Sequence, residues 1–233
     1  MKRIIRSLSL CMVLLLIIQL LVPFSALAEG PLASSLKMNG GGKYTVGSVE
    51  DLNALRGDID KGIDYAGKIV ILTQDIDLSH ATALNSFTTQ NTFSGCFDGG
   101  FHTISGYTDA KSGLFSLIDV NGEVRNLRLE AQVDITDSST FINDSYYDPD
   151  EGGRPYGLIA NESAGLIVRC STTGELTIHD ASSVGGIAGY SYLRTQFDGA
   201  VSDLNGKITD CFSNVVFNNQ VSESETVLST FCG

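Results

Sequence analysis

The chain has 233 residues and carries 27 acidic against 15 basic side chains, which gives a net charge of −12 at pH 7. A surface this acidic repels phosphate backbones and anionic lipid, so the composition argues against nucleic acid as a partner. The length is sufficient for one domain with a sizeable hydrophobic core.

Residues 1–28 have the pattern of a secretory signal peptide. A basic start and a long apolar run lead to the small residues of Ala26-Leu27-Ala28, which form a signal-peptidase site. We therefore expect cleavage after Ala28 and an exported chain, extracellular or associated with the cell wall, with no membrane span after cleavage. The alternative is an uncleaved membrane anchor, which the cleavage site disfavours. Loss of this segment removes three basic residues and leaves a net charge of −15.

The next two segments are predicted to be a flexible leader, residues 29–43, and an N-terminal cap, residues 44–66. Within the cap, Ser48 is followed three residues later by Asp51, as at the start of a capped helix. Apolar residues then recur at intervals of three or four, which predicts an amphipathic helix over 49–62. We expect this helix to cover the open end of the strands that follow.

The stretch GCFDGGFHTISG (95–106) places Asp98 and His102 on either side of two glycines. An Asp–His pair could serve acid–base catalysis. However, adjacent glycines readily turn the chain, and Asp side chains bind backbone groups at turns. We interpret the stretch as a turn between strands and assign no catalytic residue.

Asp75 and Asp77 alternate with Ile76 and Leu78, so both carboxylates are expected on the outer side of one short strand. A solvated strand face accounts for them. The alternative is a polysaccharide-active enzyme, a lyase or a glycoside hydrolase, which would use such carboxylates in an outer groove.

From residue 112 onward the chain repeats itself. Each repeat opens with a glycine and two apolar residues, at Gly113, Gly157 and Gly186. A second pattern follows in each, Gly-x-[Val/Ile]-x-x-[Leu/Cys], which begins at Gly122, Gly165 and Gly206. The apolar stretches alternate with period two between turn residues, which indicates short strands. Side chains at equivalent positions are therefore expected to stack from one repeat to the next.

Leu127, Cys170 and Cys211 occupy one position of this repeat. We therefore interpret the two cysteines as small core residues with free thiols, although an exported chain would also permit a disulfide between them. The cysteine spacings match no zinc pattern, and no metal ligand or cofactor is assigned.

The predicted fold class is all-β, a parallel β-helix over residues 67–233 with a short N-terminal capping helix. Its repeats start near 113, 157 and 186, and an incomplete one occupies 229–233. A β-sandwich is the alternative, but it would not explain why one pattern recurs in register. The unfinished last repeat also suggests that the chain is the N-terminal part of a larger surface protein.

An insertion, residues 137–156, separates the first two repeats and places tyrosines beside carboxylates. The candidate ligand-binding residues in it are Tyr146, Tyr147, Asp148, Asp150 and Glu151. Aromatic faces next to carboxylates suit sugar binding, and clustered carboxylates suit Ca²⁺, although the order of an EF-hand loop is not met. A solvated acidic loop is the alternative interpretation.

The segments GLF…GEVRNLRL, GLIA…GLIVRCSTTGELTI and GGIAG…GKITDCFSN resemble GLUG-motif repeats of bacterial cell-surface proteins. LTQDIDLS (72–79) followed by FSGCFDGGFHTISG (93–106) is similar to the segment that usually precedes such repeats. The resemblance extends from about Tyr44 to the C-terminus. It departs from the family at Cys96 and at Gly100-Phe101.

This resemblance implies a right-handed parallel β-helix on a bacterial surface. It also implies an adhesin-like binding or scaffold role toward an extracellular glycan or protein. Such regions also precede catalytic domains, including those of IgA-protease-type metallopeptidases. The present sequence contains no H-E-x-x-H, so no peptidase chemistry is carried over.

Overall fold

The computed structural model describes residues 33–80, 84–88, 91–136, 155–179, 183–191 and 206–220. All of these fall within one compact unit, Ala33–Gly233. The described part contains one helix, α1, and is otherwise built from short strands in parallel sheets. The fold is therefore all-β, as the sequence predicts.

The strands form four sheets, which we name A to D. Sheet A contains, in spatial order, β1 (Tyr44–Val46), β2 (Ile69–Leu72), β5 (Cys96–Asp98), β8 (Glu123–Arg125), β12 (Leu166–Val168) and β16 (Lys207–Thr209). Sheet B contains β3 (Ile76–Asp77), β6 (Thr103–Tyr107), β9 (Arg128–Ile135), β13 (Ser171–Ile178) and β17 (Phe212–Asn219). Sheet C contains β4 (Thr92–Phe93), β7 (Phe115–Ile118), β11 (Ala160–Ser163) and β15 (Ala188–Ser191). Sheet D pairs β10 (Pro155–Gly157) with β14 (Ser183–Gly185).

From β2 onward the chain enters sheets A, B and C in a fixed cycle, and we call each such passage a rung. Adjacent rungs pair in parallel and in register. Ile167 lies opposite both Val124 and Ile208, as the sequence alignment predicts. Leu176 likewise lies opposite Val133. Every pairing between the named strands is parallel, whereas a β-sandwich is built from antiparallel sheets.

The opening of the second repeat deviates from the predicted alignment by one residue. Gly157 lies opposite Gly185 rather than Gly186, and Ala160 lies opposite Ala188. A Cβ added to Gly157 would lie 2.3 Å from the Gly189 amide nitrogen, so the close approach of adjacent rungs fixes the position of this glycine. Because two glycines stand side by side in the next repeat, the sequence alone offers two equivalent alignments.

Helix α1 spans Val49–Asp60, close to the predicted range of 49–62. The Ser48 hydroxyl accepts a hydrogen bond from the Asp51 amide at 3.2 Å and so caps the first turn. Leu52 and Ile59 are buried and join the core of the sheets.

Residues 34–36 of the predicted flexible leader are held against α1 and the core. The Ser34 and Ser35 hydroxyls donate to the Asp58 carboxylate at 2.9 and 2.7 Å, and Leu36 is buried in the core. The buried Asp58 carboxylate therefore holds residues 34–36 at the helix, while residues 37–43 are exposed and the flexibility of the leader stays a prediction. Sequence periodicity does not reveal this long-range contact.

Inward-facing side chains stack between the sheets to form one core. Aromatic rings contribute a row through its first rungs: the Phe93 ring centroid lies 6.1 Å from that of Tyr65 and 4.8 Å from that of Phe115. The Phe97 ring meets that of Phe115 edge-on at 5.5 Å. Such contacts add to the burial of apolar area that stabilises the stack.

Candidate functional site

The predicted ligand-binding residues of the insertion, Tyr146 to Glu151, lie outside the described residues, as do the signal segment and residues 229–233. The structure does describe where the insertion leaves and rejoins the sheets. It leaves after β9 in sheet B and rejoins at β10 in sheet D. At the same place in the next rung, four residues (179–182) connect β13 to β14.

Tyr156 closes the insertion in the sequence but belongs to the core. Its side chain is completely buried, and its hydroxyl donates to the Asp109 carbonyl at 2.6 Å. Burial raises the pKa of this phenol well above its usual value. Tyr156 is therefore not available to a ligand beside the acidic cluster.

The corner between sheets A and B is the most regular polar feature of the described structure. One residue of successive rungs has a left-handed backbone there, at Phe101, Asn126, Arg169 and Asp210. Gly100, next to Phe101, has φ +58°, so the predicted turn at Gly99-Gly100 is present and extends to residue 101. This conformation turns the chain from sheet A into sheet B at the same point of these four rungs.

Asp98 lies at this corner and binds its neighbours rather than His102. Its carboxylate accepts hydrogen bonds from the Gly100 amide at 3.0 Å, the Asn126 side chain at 2.9 Å and Arg125 Nε at 2.9 Å. Partial burial raises the pKa of Asp98, but these hydrogen bonds outweigh it and lower the pKa below the usual value. The Arg169 Nε in turn donates to the Asn126 Oδ1 at 2.8 Å, which continues the polar contacts into the next rung.

His102 instead lies beside Asp75, with 3.2 Å between His102 Nδ1 and Asp75 Oδ1. Asp75 also accepts a hydrogen bond from the Thr103 amide at 2.9 Å. Asp77, which flanks buried Ile76 as predicted, accepts a hydrogen bond from the Ser79 amide at 2.9 Å. Each carboxylate thus binds a backbone N–H close to a bend.

These contacts have a chemical consequence for Asp75 and Asp77. The hydrogen bond from the Thr103 amide, with that of His102, lowers the pKa of Asp75. The hydrogen bonds from Ser79 lower the pKa of Asp77. A general acid in glycoside cleavage needs a raised pKa, so neither carboxylate is suited to that role in this environment.

Sheet B presents a regular outer face formed by β9, β13 and β17. The ladder pairs Arg128 with Ser171 and Phe212, and the outward positions continue at every second residue. The remaining outward side chains are Glu130, Thr173 and Asn214, then Gln132, Glu175 and Val216, then Asp134, Thr177 and Asn218. The face therefore combines hydroxyl, amide and carboxylate groups with two exposed apolar side chains, Phe212 and Val216.

A buried charge cluster that the sequence pattern does not predict joins α1 to the loops. The Arg56 guanidinium is 1% exposed and binds the Asp109 carboxylate at 2.5 Å. Its central carbon lies 4.5 Å from the centroid of the Phe87 ring. It donates to the Tyr107 hydroxyl at 2.9 Å and to the Gly113 carbonyl at 3.1 Å. An arginine beside an apolar helix face was the only sequence signal, and that signal does not identify partners more than fifty residues away.

Within the described ranges, no three His, Cys, Asp or Glu side chains converge to hold a metal ion. The helix in the same ranges is too short and too polar to cross a membrane. The calcium prediction concerned the insertion, which these ranges do not include, and it stays a prediction.

No protein-family model matches the chain, and no curated protein matches it. Among solved structures, the chain is similar to a crystal structure from Bacteroides ovatus named as a "putative immunoglobulin A1 protease", with 22% identity and a TM-score of 0.50. The match covers 76% of this chain and 49% of that one, so the present chain spans about half the length of the solved chain. At this identity the likeness shows a shared fold alone.

Proposed function

We propose that this chain is a right-handed parallel β-helix that serves as an exported binding or scaffold module on a bacterial surface. Its relationship to GLUG-repeat surface proteins is part of the proposal. The cyclic order of sheets A, B and C, with strands in register from rung to rung, supports the β-helix. The ligand class is an extracellular glycan or protein surface.

The observation that carries the binding role is the outer face of sheet B. Its three eight-residue strands hold side chains at fixed intervals over a continuous core, so the face is rigid before any ligand arrives. Rigid presentation reduces the entropy that binding costs. Hydroxyl and amide groups beside an exposed aromatic ring are groups that bind sugars or polar peptide surfaces.

The insertion after β9 is the second candidate element in this proposal. Pro155 rejoins sheet D opposite Ser183, and Ile135 ends β9 opposite Ile178. The ladders on both sides therefore keep their register although the two connections differ greatly in length. Extra chain that leaves a scaffold undisturbed is typical of functional loops, and Tyr146 to Glu151 fall within it.

A glycan array and a panel of extracellular proteins test the proposal with the chain after signal removal. Two variants separate the elements: Thr173→Arg with Thr177→Arg on the outer face of sheet B, and replacement of residues 136–154 by the connection 179–182. Thr209→Arg on the outer face of sheet A is the matched control. We expect one of the two variants to lose binding at least tenfold while circular dichroism is unchanged. Binding that survives both would contradict the proposal.

The polysaccharide-active alternative predicts a different result. An enzyme would release reducing ends or unsaturated products from a polysaccharide, and Asp75→Asn, Asp77→Asn or Asp98→Asn would abolish release in a folded protein. In a scaffold the same changes alter stability alone. Their backbone hydrogen bonds and lowered pKa values favour the scaffold.

A further inference from the structure

Two thiols occupy the same corner of adjacent rungs. Cys170 follows β12 and Cys211 follows β16. The ladders on either side pair Val168 with Thr209 and Ser171 with Phe212. The cysteines are separated by 41 residues, the same interval as in both ladders, so they lie opposite each other.

The backbone around the two cysteines is held close by hydrogen bonds between the rungs. The Arg169 amide donates to the Thr209 carbonyl at 3.2 Å, and the Phe212 amide donates to the Cys170 carbonyl at 3.0 Å. Neighbouring strands lie about 4.8 Å apart, which is within the range of roughly 4.4–6.8 Å between the Cα atoms of disulfides. The Cys211 Sγ already lies 3.4 Å from the Cys170 amide nitrogen, which donates to it. A bond between the sulfurs would therefore require side-chain rotation within one corner rather than movement of a whole rung.

The two thiols differ in reactivity. Cys211 is half-buried, and its interaction with the Cys170 thiol, together with the hydrogen bond from the Cys170 amide, lowers the pKa of Cys211 below that of an ordinary thiol. Cys170 is 2% exposed, and the neighbouring Cys211 thiol and burial both raise its pKa. Cys211 is thus the more acidic and the more accessible of the two thiols, and attack by a thiolate starts disulfide exchange.

We propose that Cys170 and Cys211 form a redox-active dithiol, which a small-molecule or protein disulfide converts into a disulfide between rungs of the folded chain. The Cys211 thiolate attacks the oxidant RSSR, forms a mixed disulfide and releases one thiolate, RS⁻. Cys170 then loses its proton and attacks the Cys211 sulfur, which releases the second RS⁻. The protein gives up two electrons and two protons, and RSSR becomes two RSH. The expected export of the chain would place it where disulfides persist.

Cys96 provides an internal control. It lies in sheet A with Ile69 and Glu123 as its ladder neighbours, so no cysteine is opposite it. Burial, together with the Glu123 carboxylate, raises the pKa of Cys96 to about 11. We expect this thiol to react slowly and to remain reduced under conditions that oxidise the pair.

The test treats the folded chain with oxidised glutathione at pH 7.5, traps free thiols by alkylation and maps peptides without reduction. We expect a peptide that links Cys170 to Cys211 and is lighter than its two parts by two hydrogen atoms, while Cys96 is alkylated. The linked form should melt higher by roughly 5–15 °C, because the bond closes a long loop of the unfolded chain. A mixed disulfide that persists at Cys211, or a link from Cys211 to Cys232 instead, would overturn the proposal.

Two single variants keep the result interpretable. Cys211→Ser should prevent the link and leave Cys170 slow to alkylate, whereas Cys170→Ser should leave a persistent mixed disulfide at Cys211. If Cys170→Ser fails to fold, the rate of glutathione addition to wild type decides the question. That rate should rise with pH with a midpoint below that of an ordinary thiol, about 8.5, and a midpoint at or above about 8.5 would contradict the assignment of Cys211 as the attacking group.

Discussion

At the scale of single residues, Arg56 and Asp109 bring opposite charges into an interior from which water is excluded. Taking both ions out of water costs several kcal/mol each, and the attraction between them offsets that cost only while both are present. The hydrogen bonds to Tyr107 and to the Gly113 carbonyl supply the remaining compensation. The pair therefore fixes the position of α1 on the first rungs more than it adds net stability.

We predict that Arg56→Met destabilises the protein by about 3–5 kcal/mol, because it leaves the Asp109 carboxylate buried without its partner. Urea unfolding followed by circular dichroism measures this. Arg56→Met combined with Asp109→Asn should recover part of the loss. Arg128→Met, at an exposed position of sheet B, should change stability by no more than about 0.5 kcal/mol and serves as the control. Equal losses at Arg56 and Arg128 would refute the argument.

Asp98 gives a prediction for pH. Its pKa in the folded protein is lowered from 3.8, so the charged carboxylate stabilises the fold above the unfolded pKa. That contribution is lost as the pH falls through the lower, folded pKa. We expect Asp98→Asn to cost roughly 1–2 kcal/mol at pH 7 and the difference from wild type to disappear in strong acid. Thermal unfolding from pH 7 to pH 2 checks it, with exposed Glu130→Gln as the control, and a pH-independent difference would be inconsistent with this origin.

These residues also show how far a single sequence predicts a site. The turn at Gly99-Gly100 followed from local chemistry, because both glycines and the aspartate lie in one short stretch. Asp98 binds Arg125 and Asn126, which lie one rung later. They can be identified as its partners only once the rung length is known. Arg56 could not be predicted at all, because a charge next to an apolar stripe normally faces solvent.

At the scale of elements, glycines in this protein serve two opposite purposes. A Cβ on Gly165 would lie 2.3 Å from the Gly122 carbonyl oxygen, so the rungs approach there too closely for a side chain. Gly57 lies within α1, and a Cβ there would meet no atom within 4 Å apart from its own stretch of helix backbone. The same residue type is thus required between rungs and unfavourable within the helix.

We predict that Gly165→Ala destabilises the protein by roughly 1–3 kcal/mol, because neighbouring backbone must move. Gly57→Ala should stabilise it by about 0.5–1 kcal/mol, because alanine loses less entropy in a helix. Denaturant midpoints of the two variants measure the contrast. A gain in stability from Gly165→Ala would show that the rungs are more loosely packed than described.

The sequence predicted the elements best where spacing was uniform. The segments that begin at Gly122 and Gly165 carry the same apolar intervals. The sequence alignment therefore pairs Val124 with Ile167 and Val133 with Leu176, as the ladders do. The sequence determines the alignment of the second repeat's opening less well, because either Gly185 or Gly186 can be aligned with Gly157. Only backbone contacts between rungs distinguish them.

At the scale of the whole molecule, strand position within the sheets should set local stability. β13 lies between β9 and β17, whereas β17 pairs with β13 alone among the described strands. We predict that amides of β13 exchange with solvent more slowly than those of β17, because opening β13 breaks two ladders. Hydrogen-exchange mass spectrometry with peptides from each strand measures this. Equal protection would mean that another segment or chain covers the outer edge of β17.

The ladder geometry also determines how the protein would respond to a pulling force. Hydrogen bonds between rungs run across the strands, so a load applied between β1 and β17 acts along these bonds and not at right angles to them. Such a load opens the bonds of one rung in succession instead of shearing all of them together. Each rung that opens adds roughly 25–45 residues of unfolded chain, as the pairing intervals between adjacent rungs show. Anchored at both ends, the molecule would lengthen stepwise under tension, and a Cys170–Cys211 disulfide would limit how far the last described rung could extend.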